Sequence, residues 1–213
     1  MARFAHLIRQ ALLLPFFGTS RRYWERRYSL GGDSGAGSYG KEAAYKAEVL
    51  NAFVRDKQIE SVIELGCGDG HVLSLVDYPR YLGLDVSRLA IERCGQQFGD
   101  DASKSFLWYG PTNGTDLGDF LQADLTLSLD VMFHLVEDDV YDNYLRNLFG
   151  TSRRYVIVYS SDEEVFTKLP HVRHRKFTTS VQQRFPNFNL IDTRTNSKAD
   201  AQAAKSFFVF ERK

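Results

Sequence analysis

The chain has 213 residues, 43% of them apolar and 25% charged, with 27 basic and 27 acidic side chains. That length suits one domain with a sizeable core, and the neutral balance gives no bulk attraction for nucleic acid. The 2 cysteines, Cys67 and Cys94, in no metal-type spacing, argue against a disulfide framework or structural zinc site and suit a reducing, cytoplasmic compartment; no metal site is expected, and no apolar run is long enough to span a membrane.

The charges are unevenly placed. Arg3, Arg9, Arg21, Arg22, Arg26 and Arg27 make the start basic, and Asp116 to Asp142 is rich in acids. Residues 3–14 put Phe4, Leu7, Ile8, Ala11 and Leu12 on one helical face, and Pro15 ends the run. This helix packs on its own domain or on a second subunit of a homodimer, or else lies on a membrane surface as a peripheral anchor. A secretory signal fits poorly, because charge interrupts the apolar run and no Ala-x-Ala-type cleavage site follows. Tyr23–Tyr28 reads as a short helix. The glycine-rich stretch 31–40 reads as a lid, because it leads into the helix before the first strand. Within it Tyr39 faces either a ligand or the packed surface. Lys41–Arg55 is an amphipathic helix with Ala44, Val49, Leu50 and Phe53 on its apolar face.

The most informative stretch follows. Val62–Leu65 is a short apolar run of the kind found in buried parallel strands, and it stops at Gly66-Cys67-Gly68-Asp69-Gly70. Alternating glycines allow positive φ and close approach of a ligand to the backbone. His71–Val76 reads as a short helix, which would give the strand, loop and helix N-terminus of a nucleotide site. The third glycine comes one residue too early for a dinucleotide fingerprint, and no Gly-Lys-Ser/Thr completes a phosphate loop. Glu64 and Asp69 beside the loop would repel a pyrophosphate and suit a ligand carrying positive charge. The next strand, Tyr81–Asp85, ends in an acid about 19 residues after Gly66, close to the spacing at which a carboxylate meets ribose hydroxyls. Asp85 would alternatively cap the following helix, but Ser87 suits that role better.

Ser87–Phe98 reads as a helix, Ser105–Tyr109 as an aromatic-rich strand, residues 111–115 as a turn and Ala123–Asp130 as a strand leading into His134. Asp138–Phe149 reads as a helix, Arg154–Tyr159 as a strand, Thr178–Phe185 as a helix, and Asn187–Thr193 with Ser206–Arg212 as a closing hairpin. The basic run 171–176 is either a solvated face or, lying after a central strand, a site for an anionic acceptor through His174 and Arg175.

The acidic-x-Gly-x-Gly-x-Gly motif at 64–70, followed by Asp85, resembles the first motifs of class I S-adenosylmethionine-dependent methyltransferases. The Asp130…His134 pattern resembles the fourth motif of the family's small-molecule enzymes, and the Asn/Asp-Pro-Pro-aromatic motif of nucleic-acid base methyltransferases is missing. The Trp24-Glu25-Arg26-Arg27 element before a glycine-rich stretch is similar to the cap of thiopurine-type methyltransferases. The resemblance implies an α/β fold, with a seven-stranded, mostly parallel sheet, helices on both faces and a C-terminal hairpin, over residues 40–213, preceded by a helical segment and lid at 1–39. It implies S-adenosylmethionine as cofactor and a small molecule or glycan as methyl acceptor. Gly66, Gly68 and Gly70 would admit the methionine part and Glu64 its ammonium, Asp85 would hold the ribose, and Cys67, Val86, Leu129 and Tyr39 would line the cofactor. Trp108 and Tyr109 would lie near the adenine. His134 is either a base for the acceptor or a turn-stabilising histidine, and Asp130 either orients the acceptor or is structural. The competing readings are a nicotinamide-dependent oxidoreductase and a non-enzymatic module retaining the fold.

Overall fold

The computed structural model of the chain describes residues 18–110, 116–196 and 204–213. The helix expected at 3–14 and the turn expected at 111–115 lie outside them. Seven strands form one sheet: β1 (Val62–Leu65), β2 (Tyr81–Asp85), β3 (Lys104–Trp108), β4 (Ala123–Leu129), β5 (Ser152–Ser160), β6 (Phe188–Thr195) and β7 (Ser206–Arg212). Their spatial order is β3-β2-β1-β4-β5-β7-β6. The first five are parallel, and β7 runs antiparallel to both β5 and β6. This is the mostly parallel sheet with a closing hairpin that the sequence predicts. In the hairpin the register slips between Leu190 and Asp192.

Five helices of eight or more residues are described: α1 (Ser20–Ser29), α2 (Gly40–Asp56), α3 (Arg88–Phe98), α4 (Asp138–Gly150) and α5 (Phe177–Arg184). The side-chain period of two on β1 divides the core. Ile63 and Leu65 join the cluster under α4 and α5, with Tyr144, Leu145, Leu148, Phe177 and Val181. Val62 joins the cluster under α2, with Ala47, Leu50 and Val54. Glu64 shares the parity of Val62, so an acid is sent into the α2 side of an apolar interior.

Two local expectations are corrected. The buried stripe of α2 is Ala43, Lys46, Ala47, Leu50 and Val54, while Ala44 is exposed and Val49 and Phe53 are half-buried. The segment after the glycine loop is not an α-helix but a single 3₁₀ turn, Leu73–Leu75. It is too short to nucleate, and Val76 already leaves in an extended conformation. The loop therefore has no helix N-terminus behind it. Ser87 does cap α3, accepting from the Ala90 N–H at 3.3 Å.

Tyr144 ties α4 to the centre of the sheet. Its hydroxyl donates to the Leu65 carbonyl at 2.8 Å and lies 2.7 Å from Ser128 Oγ, all of it buried. Tyr144→Phe should lower unfolding free energy by about 1–3 kcal/mol, because it strands two buried polar groups. Urea denaturation should show a shifted midpoint with an unchanged slope.

Candidate functional site

A cavity of about 380 Å³ opens at the C-terminal ends of β1, β2 and β4. This is where open α/β sheets bind ligands. Its wall combines the glycine loop, Glu64, Asp85, Val86, Leu129, Asp130 and His134 with Trp24 and Tyr28 of α1 and Ser34 and Ser38 of the lid.

The loop owes its shape to glycine. Gly66 has φ +87° and Gly68 φ +59°. A Cβ on Gly66 would collide with the Val131 side chain, and one on Gly68 with Ser34. Gly70, at φ +78°, is not in the cavity wall; a Cβ there would meet Phe98 Cε2 at 2.7 Å, so this glycine admits α3 against the loop.

Each carboxylate at the site is held differently. Asp85 accepts from the Gly68 N–H at 2.9 Å and the Ser87 N–H at 2.8 Å. Burial still pushes its carboxyl up to about 6, against the pull of those two amides. Glu64 accepts from the Tyr81 hydroxyl at 2.6 Å. Burial raises it to about 7, although Tyr81 and the charge of Lys46 oppose the rise. Burial also raises Asp130, but Lys46 at 2.5 Å and Lys205 at 2.8 Å outweigh it and leave that carboxyl below its ordinary range. Asp130 sits at φ +58°, a left-handed conformation uncommon outside glycine.

Asp69 serves the lid. Its Oδ2 accepts from the Ser34 N–H at 2.9 Å and the Tyr39 hydroxyl at 2.8 Å, and its own N–H donates to Ser34 Oγ at 2.9 Å. Tyr28 Oη lies 2.8 Å from the same Ser34 oxygen. Tyr39 thus anchors the lid, its ring stacked on His71 at 4.2 Å, and is absent from the cavity wall where the resemblance places it. At the other end of the cavity, Ser20 N–H and Oγ donate to Glu137 at 2.8 and 2.6 Å and fasten α1 to the turn after β4.

His134 lies in that turn, edge-on to Trp24 with ring centroids 4.9 Å apart. Its Nδ1 is 3.0 Å from the His171 carbonyl. A carbonyl only accepts, so Nδ1 carries the proton and Nε2 is left as the acceptor. Burial lowers the imidazole to about 4, which keeps it neutral at physiological pH.

His174 and Arg175 are not in this wall. Arg175 donates to the carbonyls of Leu135 and Val136 at 2.5 and 3.1 Å and to Asp138 at 2.9 Å, and lies over the Tyr141 ring. Its guanidinium clamps the β4–α4 turn. His174 Nδ1 lies 2.6 Å from Ser161 Oγ. Tyr109 does reach the cavity, whereas the Trp108 indole donates to the Val86 carbonyl at 3.0 Å beneath the Arg88 guanidinium. Trp24 of the cap-like element and Ser34 of the lid line the cavity, and so does Lys46, which the sequence reading does not single out.

No family model matches the chain, and no curated protein matches it in sequence. Solved structures match it in fold. The N-methyltransferase NodS from Bradyrhizobium japonicum WM9, in complex with S-adenosyl-L-homocysteine, is 14% identical with a TM-score of 0.69, covering 92% of this chain and 99% of its own. Magnesium protoporphyrin IX methyltransferase from Synechocystis PCC 6803, with bound S-adenosylmethionine, is 14% identical with a TM-score of 0.60, covering 96% and 97%. The [4+2]-cyclase SpnF is 12% identical with a TM-score of 0.61, covering 92% and 97%. These likenesses show the class I methyltransferase fold. No described helix is long and apolar enough to cross a membrane.

The contacts of Asp69 predict what releases the lid. Asp69→Ala should speed amide exchange across residues 33–39 and spare that of β1 and β4. Hydrogen–deuterium exchange read peptide by peptide would show it, and unchanged protection of the lid would mean that its other contacts suffice.

Proposed function

We propose that this chain is an S-adenosylmethionine-dependent methyltransferase acting on a small-molecule acceptor. The observation that carries the reading is the glycine loop itself. It is edged by carboxylates and followed by a 3₁₀ turn instead of a helix N-terminus. A pyrophosphate needs the opposite arrangement, with positive helix-end dipole and no acids. The same absence weighs against a nicotinamide cofactor. The fold alone does not carry the reading, since a cyclase also has it.

The residues present fit such a cofactor. Gly66 and Gly68 leave backbone where a Cβ would fill the space, and Glu64 and Asp85 put two acids in the wall. A volume of about 380 Å³ lies within the usual range for small-ligand pockets. When bound, S-adenosylmethionine supplies a methyl group already activated by a cationic sulfur, so the chain's work is alignment and exclusion of water.

Each role follows from a free valence. Asp85 spends one lone pair per oxygen on backbone amides and keeps others for the two ribose hydroxyls. Glu64 offers its carboxylate to the ammonium. Val86 and Leu129 supply apolar wall, and Cys67 lies in the loop between them. His134, neutral with a bare Nε2, accepts the proton of an acceptor hydroxyl or amine. Asp130 is occupied by two lysines, which makes it a positioning residue and not a second base. Trp24 and Tyr28 close the cavity from α1.

Two measurements test this. Glu64 stands near 7 in the ligand-free protein, so a cationic ligand must first find it ionised or drive off its proton. Affinity for S-adenosylmethionine should therefore rise from pH 5 to pH 8 and level off above about 7, with proton release below that point. Calorimetry in buffers of different ionisation enthalpy reads both, and Glu64→Gln should remove the part of the rise near 7 while leaving that of Asp85 near 6. Absence of binding at every pH would refute the assignment. Once an acceptor is found, His134→Ala should slow turnover by about 10²–10⁴-fold and leave cofactor affinity unchanged. A variant with normal turnover would remove His134 from the chemistry.

A further inference from the structure

The sheet is covered unevenly at its β3 edge. Strands β2 and β3 pair with Leu82 beside Ser105 and Leu84 beside Leu107. Side chains alternate along a strand, so these four share one face. Leu84 is fully buried in the cluster under α4 and α5, which identifies that face. Leu107, next to it, is 44% exposed; Ser105 is exposed and Leu82 is half-buried. The opposite face of β3 is closed, since Phe106 meets Phe98 of α3 with ring centroids 5.8 Å apart. The difference comes from the connection between β3 and β4. Among its described residues the one regular element is a 3₁₀ turn, Leu117–Asp119. That turn is held against α4, where the Leu117 N–H donates to Asn147 Oδ1 at 2.7 Å, and Phe120 just after it is 82% exposed. A sheet face buries its apolar residues under a further layer, and no described element supplies one over Leu107.

The chain carries a segment of matching size, chemistry and attachment. Phe4, Leu7, Ile8, Ala11 and Leu12 fall on one face of a helix over residues 3–14. Such a helix is about 18 Å long, and the 5 residues of β3 span about 17 Å. The described chain begins at Gly18, at the top of the bare strip. Ser20 donates to Glu137 at the N-cap of α4. The Arg21 guanidinium lies over the ring of Trp108, the last residue of β3, 5.4 Å from its centroid. The chain therefore enters between α4 and β3. Pro15 and the residues up to Gly18 give a connection of ordinary length for two helices to turn back on each other. Charge agrees as well: Arg3 and Arg9 border the apolar stripe, while Asp119 in the connection and Asp139 in the first turn of α4 are exposed.

We infer that the bare face of β3 is the docking surface for the chain's own residues 3–14, which cover Leu82 and Leu107 as an additional helix along the strand. A second copy or a lipid surface could use the same apolar stripe, but neither accounts for the point at which the chain enters. The inference is independent of the cofactor reading.

The test uses the full chain. Leu107→Cys should react with a water-soluble thiol reagent about tenfold or more slower than Ile191→Cys, which lies at the opposite edge of the sheet with a similar exposure of 43%. Adding Ile8→Asp to Leu107→Cys should restore the fast rate. Cys94 is buried and Cys67 half-buried, so the unsubstituted chain gives the background. In a second measurement, Ile8→Cys combined with Leu107→Cys should form a disulfide within one chain under air oxidation, identified by peptide mass spectrometry. Equal reactivity of the Leu107 and Ile191 variants, or slow reaction that Ile8→Asp does not relieve, would overturn the proposal. Disulfides formed only between two chains would assign the stripe to a second copy. Protection of Leu107→Cys that appears only with anionic phospholipid vesicles would assign it to a lipid surface, and either result also overturns the proposal.

Discussion

The constraint on which this site depends is the removal of carboxylates from water. Glu64, Asp69, Asp85 and Asp130 are all held close to the ends of three adjacent strands, where little solvent remains to screen them. The chain meets the cost four ways. Tyr81 donates to Glu64, the lid donates to Asp69, backbone amides donate to Asp85, and lysines neutralise Asp130. Burial still dominates for Glu64 and Asp85, whose carboxyls hold their protons more tightly than in water. A ligand that brings positive charge to Glu64 and hydroxyl donors to Asp85 relieves both groups, so the resting electrostatics favour a cation over a phosphate.

The same constraint binds the N-terminal segment to the sheet. Ser34 accepts from the glycine loop and donates to an acid within it, so the lid is held by the feature it covers. Arg27 donates to the Asp33 carbonyl at 2.6 Å and to its carboxylate at 2.7 Å, which shapes the turn leading into the lid. The segment 18–39 therefore supplies wall and roof to a cavity whose floor belongs to the later residues.

Much of this was legible in the sequence because it depends on short-range patterns. The strands and most of the helices follow from apolar runs separated by helical periods, and the loop from glycines at a fixed spacing. Asp85 stands out in the sequence as a strand-terminal acid at that distance from the glycines, and it lines the cavity. What was missed depends on partners far along the chain. Arg175 sat in a basic run and looked available, but its partners Leu135, Val136 and Asp138 lie 37 or more residues away. Lys46 is not picked out by the sequence analysis, although its position between Ala43 and Leu50 on the apolar stripe is a signal that it is buried. The segment 71–76 had apolar residues enough for a helix but no length to pay for nucleation.

The slipped register in the hairpin has a bearing on how the protein behaves in a crowded solution. The outermost strand, β6, ends the sheet and carries exposed Leu190 and Ile191. A flat apolar edge of that kind is a template on which another chain can add itself. The irregularity between Leu190 and Asp192 falls at that point, and Asp192 pairs with Arg194 at 2.8 Å along the same strand. A bulge twists the free backbone groups out of line, and the charges make a neighbour's approach unfavourable. The sheet can thus end in an apolar strand without inviting the growth of a fibre from its edge.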